Sequence, residues 1–295
     1  MEPRVDILLP TFNGEDFIDA QIESILSQSY LNIRLIVRDD SSHDNTVGIV
    51  EKFALRDSRV FFVKDKRQNI GLVSSIQLLL QFSDSSLIMF SDQDDVWFPN
   101  KVELFLNRAL LEDQNSLFLI HSDSYVTNRN LKVLKRFLGT EPLNFGLENC
   151  LFKYYVQGSS SMINIKLKDE CLPFPASVYL HDRYFHILSE LKGKRIYIDQ
   201  PTMYYRQHQK NMIGSQSLLK KILSSFYVWN MRFYFPKDKE LILSIFRDQV
   251  EKIKIFYIYE IITDDKVNRF RKIFLIFRNK ISLRMKEFLL LLVNN

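Results

Sequence analysis

The stretch Leu87-Ile88-Met89-Phe90-Ser91-Asp92-Gln93-Asp94-Asp95 places three carboxylates directly after an apolar run of strand-forming residues. A buried strand that stops at a sheet edge would put Asp92, Asp94 and Asp95 just past its carboxyl end, where open α/β sheets bind ligands. Carboxylates this close repel one another, so they are tolerated mainly where a cation or several hydrogen bonds neutralise them. Such oxygen ligands suit Mg²⁺ or Mn²⁺, with substrate phosphates as further ligands. The alternative is a solvated acidic turn that caps the following helix, which Pro99 could begin.

The net charge of +5 is unevenly distributed along the 295 residues. Residues 215–295 carry 16 Lys and Arg against 8 Asp and Glu, whereas residues 1–214 carry 24 against 27. This shift predicts a main domain over residues 1–214 and a basic, amphipathic, helical region over residues 215–295. The first residues show no basic and apolar leader pattern, and no apolar run approaches the ~20 residues that span a bilayer. We therefore expect a cytoplasmic protein.

Short apolar strands alternate with amphipathic helical segments in the first hundred residues. The predicted strands are Val5–Leu9, Ile33–Val37, Arg59–Val63 and Leu87–Ser91. Repeated β-α units of this length predict an α/β fold with a doubly wound, mainly parallel sheet. Polar motifs follow the strands, so we expect these motifs to meet at one rim of the sheet.

The later sequence is less regular. Residues 154–165 read as a strand that Gly158-Ser159-Ser160-Ser161 interrupts, and a helix beginning near Val178 would carry His181-Asp182 in its first turn. A final helix over Lys266–Val293 pairs an aromatic stripe with Lys and Arg, which is typical either of contact with an anionic membrane or of ordinary helix packing.

Taken in order, these motifs resemble family 2 glycosyltransferases, which are inverting enzymes with a GT-A fold, and most closely the bacterial rhamnosyltransferase branch. The resemblance covers roughly residues 4–214. The matching segments are Pro10-Thr11-Phe12-Asn13, Asp39-Asp40-Ser41-Ser42, Asn69-Ile70-Gly71, Ser91-Asp92-Gln93-Asp94-Asp95-Val96-Trp97, His181-Asp182 and Tyr205-Arg206-Gln207-His208.

The resemblance implies a nucleotide-sugar site built from the loops after the first three strands together with Asp92 of the carboxylate loop. Its residues would be Pro10, Thr11, Phe12, Asn13, Asp39, Asp40, Asn69, Gly71 and Asp92. Carboxylates there would accept hydrogen bonds from the base and ribose, and Gly71 would permit close approach of the backbone. Without the resemblance, the first two loops would read as helix-capping turns.

The resemblance also implies a divalent metal, Mg²⁺ or Mn²⁺, held by Asp94 with support from His208. Asp95 would instead form a local hydrogen bond. The metal would stabilise the charge on a departing nucleoside diphosphate.

Asp182 corresponds to the catalytic base of the family. A single carboxylate suffices for inversion, because it takes the proton of the acceptor hydroxyl as that hydroxyl attacks. The competing interpretation is a first-turn residue that the helix dipole favours. Gly158 and Trp97 would lie on the acceptor side.

The function that the resemblance implies is transfer of a sugar from a nucleotide donor to a glycan or lipid-linked acceptor in surface polysaccharide synthesis. The donor would be a dTDP- or UDP-sugar, with dTDP-rhamnose as first choice. We expect peripheral contact with the inner face of an anionic membrane. A nucleotidyltransferase is the alternative enzyme class, but it would normally want a Gly-rich phosphate loop after the first strand. A nucleic-acid-binding protein fits poorly, because the basic residues lie on amphipathic helices, and we expect no nucleic-acid partner.

Overall fold

The computed structural model describes residues 2–139, 146–150, 155–208 and 241. The chain divides into two compact units. The first comprises Met1–Glu141, Val156–Phe174 and Leu180–His208, and the second Pro142–Tyr155, Pro175–Tyr179 and Gln209–Asn295. The predicted helical region 215–295, including the helix over Lys266–Val293, lies outside the described residues except for Leu241. No helix within the described ranges is long and apolar enough to cross a membrane.

The elements alternate between strand and helix as far as the fourth strand. In chain order they are β1 (Val5–Thr11), α1 (Ile18–Leu26), β2 (Ile33–Asp39), α2 (Thr46–Arg56), β3 (Val60–Phe62), α3 (Gly71–Phe82), β4 (Leu87–Phe90), β5 (Val96–Trp97), α4 (Lys101–Ala109), β6 (Phe118–Thr127), β7 (Val133–Arg136), α5 (Leu147–Cys150), β8 (Ser161–Asn164), α6 (Ile165–Cys171), α7 (His181–Lys192) and β9 (Lys194–Arg206). A short 3-10 turn, Gly158–Ser160, precedes β8.

The first four strands of the chain lie side by side in the order β3-β2-β1-β4, and all four are parallel. Each crossover carries one helix, as a parallel pair requires. The carboxyl ends of these strands therefore meet at one edge of the sheet. This half confirms the predicted doubly wound arrangement.

The other half of the nine-stranded sheet is mixed. Strand β8 runs antiparallel to both β4 and β6, whereas β6 and β9 are parallel. Strand β5 pairs antiparallel with β9, and β7 pairs antiparallel with β6. The predicted α/β fold is confirmed, with the antiparallel pairs confined to this half of the sheet. Because β8 runs opposite to β4, it begins where β4 ends. The Gly158–Ser160 turn consequently lies at the same edge as Asp92.

Alternating side chains of β1 fix the two faces of the sheet. Val5, Ile7 and Leu9 are fully buried in a core shared with α1, α2 and α4. Leu8, also fully buried, points to the opposite face because successive strand residues alternate. The β1 strand is thus apolar on both faces, which is expected for a central parallel strand.

Candidate active site

The loops after β1 and β2 are bonded to each other through Asp39. Its Oδ1 accepts hydrogen bonds from Thr11 Oγ1 at 3.0 Å and from Ser42 Oγ at 2.5 Å. The backbone N–H of Asn13 donates to Ser42 Oγ at 2.8 Å, and the side chain of Asn13 accepts from the His43 N–H at 2.8 Å. The structure therefore brings the first two predicted nucleotide motifs together as one surface.

Gln93 joins this surface to the carboxylate loop, a contact that the sequence reading missed. Its side-chain amide accepts from the Phe12 N–H and donates to the Phe12 carbonyl, both at 2.9 Å. A Cβ on Gly14 would lie 2.3 Å from Gln93 Oε1, so a glycine leaves room for this amide. Phe12 itself is 45% exposed. In the sequence, the position of Gln93 between Asp92 and Asp94 was the feature that could have pointed to this contact.

Asp40 has an internal role that differs from the predicted contact with the nucleotide. Its Oδ1 accepts from Arg38 Nη1 at 2.8 Å and from the Ile70 N–H at 2.9 Å, and its Oδ2 accepts from the Gly71 N–H at 2.8 Å. Burial raises the pKa of Asp40, but Arg38 and the two backbone N–H groups outweigh burial and hold that pKa below its usual value. Asp40 therefore supports the third loop from beneath.

Arg38 completes this support. Its side chain is fully buried and also donates to Asp65 Oδ2 at 2.9 Å and to the Arg67 carbonyl at 2.9 Å. In the same loop Asn69 and Gly71 have φ values of 49° and 81°. A Cβ on Gly71 would meet no described atom within 4 Å, so the positive φ is the feature of the protein itself that favours glycine there, and the close approach to the nucleotide stays a prediction.

The carboxylates after β4 occupy two different environments. Asp92 is partly buried, and burial together with the charges of Asp94 and Asp182 raises its pKa to about 7. Asp95 is fully buried, and burial together with the charges of Asp94 and Asp92 holds its pKa well above its usual value. The α7 carboxylate lies near this loop, because Asp182 accepts the Gly158 N–H from the turn that leads into β8 beside the end of β4.

The hydrogen bond of Asp95 is long-range, so the predicted local bond is wrong. Its Oδ1 accepts from the Arg206 N–H at 3.1 Å, which ties the carboxylate loop to the end of β9. Arg206 strengthens that tie, because its Nε donates to the Asp94 carbonyl at 2.8 Å. The β4 and β9 motifs are therefore assembled into one site by the fold.

Asp94 and His208 meet as the resemblance implied. His208 Nε2 lies 2.8 Å from Asp94 Oδ2, and the imidazole stacks on Phe17 with ring centroids 4.4 Å apart. Among the described residues, no three His, Cys, Asp or Glu side chains form a metal-binding group. An imidazole and a carboxylate beside further acidic groups fit a divalent ion that takes its remaining ligands from water and substrate phosphate, as Mg²⁺ and Mn²⁺ do.

Asp182 lies in the first turn of α7 with its carboxylate held on both sides. Oδ1 accepts from the Arg183 N–H at 2.7 Å, and Oδ2 accepts from the Gly158 N–H at 3.1 Å. A Cβ on Gly158 would lie 2.7 Å from His181 Nε2 and 3.5 Å from Asp182 Oδ2. Gly158 is therefore adjacent to the predicted base, and its small size accommodates α7.

Trp97 lies in the core, which corrects its predicted place on the acceptor side. Its side chain is only 3% exposed, and Lys101 Nζ lies 3.8 Å from the centroid of its ring. Lys101 is itself fully buried and donates to the Ser159 carbonyl at 2.5 Å. Sequence reasoning missed Lys101, although its position on the apolar stripe of α4 was an available signal.

Comparison with known proteins agrees with this geometry. Residues 6–166 match glycosyl transferase family 2. The chain is 25% identical over 232 residues to the dTDP-rhamnosyl transferase RfbG of Shigella flexneri, covering 72% of this chain and 75% of that protein. It is 27% identical over 229 residues to an Escherichia coli UDP-Glc:alpha-D-GlcNAc-diphosphoundecaprenol beta-1,3-glucosyltransferase, WfaP, covering 74% and 86% respectively.

Solved structures support the fold. Residues 1–349 of S. aureus TarS in complex with UDP-GlcNAc superpose with a TM-score of 0.59 at 16% identity, covering 98% of this chain and 89% of that one. The chain spans only 43% of the longer TarS structure. The mannosyltransferase PcManGT from Pyrobaculum calidifontis, in complex with GDP-Man and Mn²⁺, gives a TM-score of 0.55 at 14% identity, covering 100% and 71%. These likenesses confirm the GT-A fold, and with a family match over more than half its length, the chain belongs to glycosyl transferase family 2.

Proposed function

We propose that this chain transfers a sugar from a nucleoside-diphosphate donor to a hydroxyl group of a glycan or lipid-linked acceptor, with inversion at the anomeric carbon. The observation that carries the proposal is that Asp182 is bonded to the turn before β8, which lies at the sheet edge where β4 ends in the Asp92–Asp94 loop. The Gly158 N–H holds Asp182 on that edge. Such a site offers a proton acceptor beside a place for a departing diphosphate.

The donor would lie across the three bonded loops. Phe12 offers an exposed aromatic face for stacking on a base, and the Asp39 carboxylate lies beside it in the loop pair. Asp40 would act indirectly by holding Ile70 and Gly71. Asn69 would belong to the same edge of the donor site. This assignment keeps the predicted nucleotide-binding residues in direct contact with the donor, except that Asp40 supports the loop from beneath.

The reaction itself needs one proton acceptor and one leaving group. Asp182 would take the proton of the acceptor hydroxyl while its oxygen bonds to the anomeric carbon and the bond from that carbon to the diphosphate breaks. Asp94 and His208 would hold a divalent cation, and that cation would offset charge on the leaving diphosphate. Asp92, with its raised pKa, would lie between these two halves.

The rhamnose donor remains our first choice and rests on two supports. One is the sequence likeness to a dTDP-rhamnosyl transferase. The other is the pair of strings Asp92–Trp97 and Tyr205–His208, in which Asp95 and Arg206 are bonded to each other. A panel of dTDP- and UDP-sugars, assayed for transfer and for the anomeric configuration of the product, tests both the donor and the stereochemistry. A product that retains the donor configuration would overturn the mechanism.

Metal use can be separated from the rest. Calorimetric titration with UDP and dTDP, with and without Mn²⁺, should show tighter binding with the ion in the unaltered protein. Asp94→Ala should lose that gain, whereas Asp169→Ala, at an exposed position on α6, should keep it. Full transfer activity in excess chelator would show that the cation assignment is wrong.

Membrane attachment is a separate proposal that rests on the sequence. Residues 215–295 carry twice as many basic as acidic residues, and basic residues near an anionic surface contribute about 1 kcal/mol each. Flotation should therefore be stronger with anionic than with neutral vesicles and should weaken in high salt. Equal failure to float with both kinds of vesicle would reject peripheral attachment at the inner face of the membrane.

A further inference from the structure

Lys101 is an ammonium-bearing side chain without solvent contact at the centre of the site. It is fully buried in the first turn of α4, and its Nζ lies 3.8 Å from the centroid of the Trp97 ring and 3.3 Å from Met203 Sδ. Burying such a group is costly unless it is paired or hydrogen-bonded. Asp95 and Asp92 favour its charged form, although burial holds its pKa well below the usual value. Because the burial of Lys101 is energetically unfavourable, its contacts should indicate its function.

The contact that defines the role is the hydrogen bond from Lys101 Nζ to the Ser159 carbonyl, at 2.5 Å. Ser159 is the middle residue of the Gly158–Ser160 turn. The preceding residue in the turn donates its N–H to Asp182 Oδ2 at 3.1 Å. One short turn therefore connects the lysine after the carboxylate loop to the carboxylate at the start of α7. Lys101 can donate this hydrogen bond in either protonation state, so the connection does not depend on its titration.

Further bonds make the turn a firm link. Ser161 Oγ donates to the Gly158 carbonyl at 2.7 Å, and Ser160 Oγ donates to the Ser122 carbonyl of β6 at 3.1 Å. The turn is thus anchored to β6 on one side and to Lys101 on the other. A shift at Ser159 would be passed to the N–H of Gly158 and hence to Asp182.

We propose that Lys101 is a positioning residue for the acceptor half of the reaction, acting through the Gly158–Ser160 turn on Asp182. The proposal rests on the proposed role of Asp182 as base. Lys101 itself would touch neither substrate. Its effect would be to keep the base aligned with the acceptor hydroxyl when the donor is bound.

The test uses Lys101→Met, which keeps an unbranched side chain one atom shorter and cannot donate. We expect kcat for transfer to fall by about 10²-fold, the order of loss produced by a misplacement of about 1 Å. The dissociation constant for nucleoside diphosphate should change by less than about 3-fold, because the hydrogen bonds of this link run to Asp182 and β6 and not to the loops after β1, β2 and β3 that would hold the base and ribose. The matched control is Lys168→Met, since Lys168 also donates to a carbonyl at 2.5 Å, that of Ser83 before β4 begins. The control should keep kcat.

A double-mutant cycle with Asp182→Asn separates this role from simple loss of packing. If Lys101 acts through Asp182, Lys101→Met should have little further effect on kcat in the Asp182→Asn background. Independent, multiplicative losses would overturn the positioning role, and so would a parallel loss of donor affinity. Asp182→Asn with undiminished transfer would instead overturn the proposed function. Should Lys101→Met fail to fold, Lys101→Gln, which retains a shorter N–H donor, is expected to show the same kcat-specific loss in smaller measure.

Discussion

Two backbone N–H groups orient the carboxylate of Asp182. The Arg183 N–H reaches Oδ1 and the Gly158 N–H reaches Oδ2, so the carboxylate has little freedom to rotate. The two donors come from different elements, α7 and the turn before β8. A base fixed in this way can be tested by changing the carboxylate or by changing one of its donors.

Changing the carboxylate is the first prediction. Asp182→Asn keeps the size of the side chain but removes its basicity, and losing a general base typically costs ~10²–10⁴-fold in rate. Steady-state kinetics with donor and acceptor should show that loss in kcat, while calorimetry should show unchanged binding of nucleoside diphosphate. Asp169→Asn, on the exposed side of α6, is the control. Loss of donor binding with an intact kcat would remove Asp182 from the role of base.

Changing a donor is the second prediction. In Gly158→Ala the new Cβ would lie 2.7 Å from His181 Nε2, so His181 or the turn must move. We expect kcat to fall with little change in donor affinity. Gly48→Ala in α2 is a suitable control, because its Cβ would meet only the Asn45 side chain and alanine favours helix. Unchanged kcat in Gly158→Ala would show that the turn tolerates displacement.

At the scale of elements, the third loop depends on a buried ion pair beneath it. Arg38 and Asp40 lie at the end of β2, and Asp40 accepts the N–H groups of Ile70 and Gly71. The loop before α3 is therefore held by β2 rather than by its own strand, β3. Disturbing the pair should affect donor binding at a distance.

Asp40→Asn is the third prediction. It should weaken nucleotide binding, and it should lower the free energy of unfolding at pH 7 by about 1–3 kcal/mol, as expected when buried donors lose an acceptor. The folded-state pKa of Asp40 is lowered, so its contribution is present above pH ~4 and is lost as the pH falls through the folded value. Urea denaturation should accordingly show the gap between Asp40→Asn and the unaltered protein narrowing below pH ~4. A gap independent of pH would contradict the ionised role of Asp40.

The sequence predicted the β-α units of the first half well, because their strands are apolar on both faces and their helices amphipathic. Hydrophobic periodicity could not reveal the direction of β8, which is only four residues long. The structure places Pro201 at an irregularity in the register with β6, where a missing N–H is tolerated. Lys101 escaped prediction because burial of a lysine depends on tertiary neighbours.

At the scale of the whole molecule, strand order converts separate motifs into one site. Residues after β1, β2, β4 and β9 reach a common edge, and the antiparallel entry of β8 adds the turn before it. The motif resemblance supplied Asp94, Asp182 and His208, and the structure confirms that Asp94 and His208 meet. The links between motifs, such as the Arg206 N–H to Asp95, join residues too distant in sequence for any local pattern.

The stability of the folded unit should fall in mild acid, which is the fourth prediction. His186 is fully buried on α7 beside Glu190, Arg183 and Arg195, and burial lowers its pKa from 6.5 to about 4. The unfolded chain takes up this proton below pH 6.5, while the folded chain resists until about pH 4. Stability is therefore full above pH 6.5 and is lost as the pH falls toward 4, by an amount on the order of 3 kcal/mol.

His186→Leu tests this assignment, because leucine fills a similar volume and carries no proton. Denaturation at pH 7.5 and pH 4.5 should show a smaller difference for His186→Leu than for the unaltered protein. The exposed His43, changed to Gln, should leave the difference as it was. Equal slopes in all three proteins would assign the acid sensitivity to other groups.

The side-chain amide of Gln93 fixes the distance between two loops of the donor site. Because it pairs with both the N–H and the carbonyl of Phe12, the loop that would receive a base cannot drift from the loop that carries Asp92 and Asp94. An insertion or deletion in either loop would break these two hydrogen bonds. Changes in loop length are therefore expected to disrupt the donor site rather than adapt it to a new donor. Adaptation to a different nucleotide should instead proceed by side-chain replacement on loops of constant length. Enzyme engineers should vary Phe12 and leave Gly14 and Gln93 untouched.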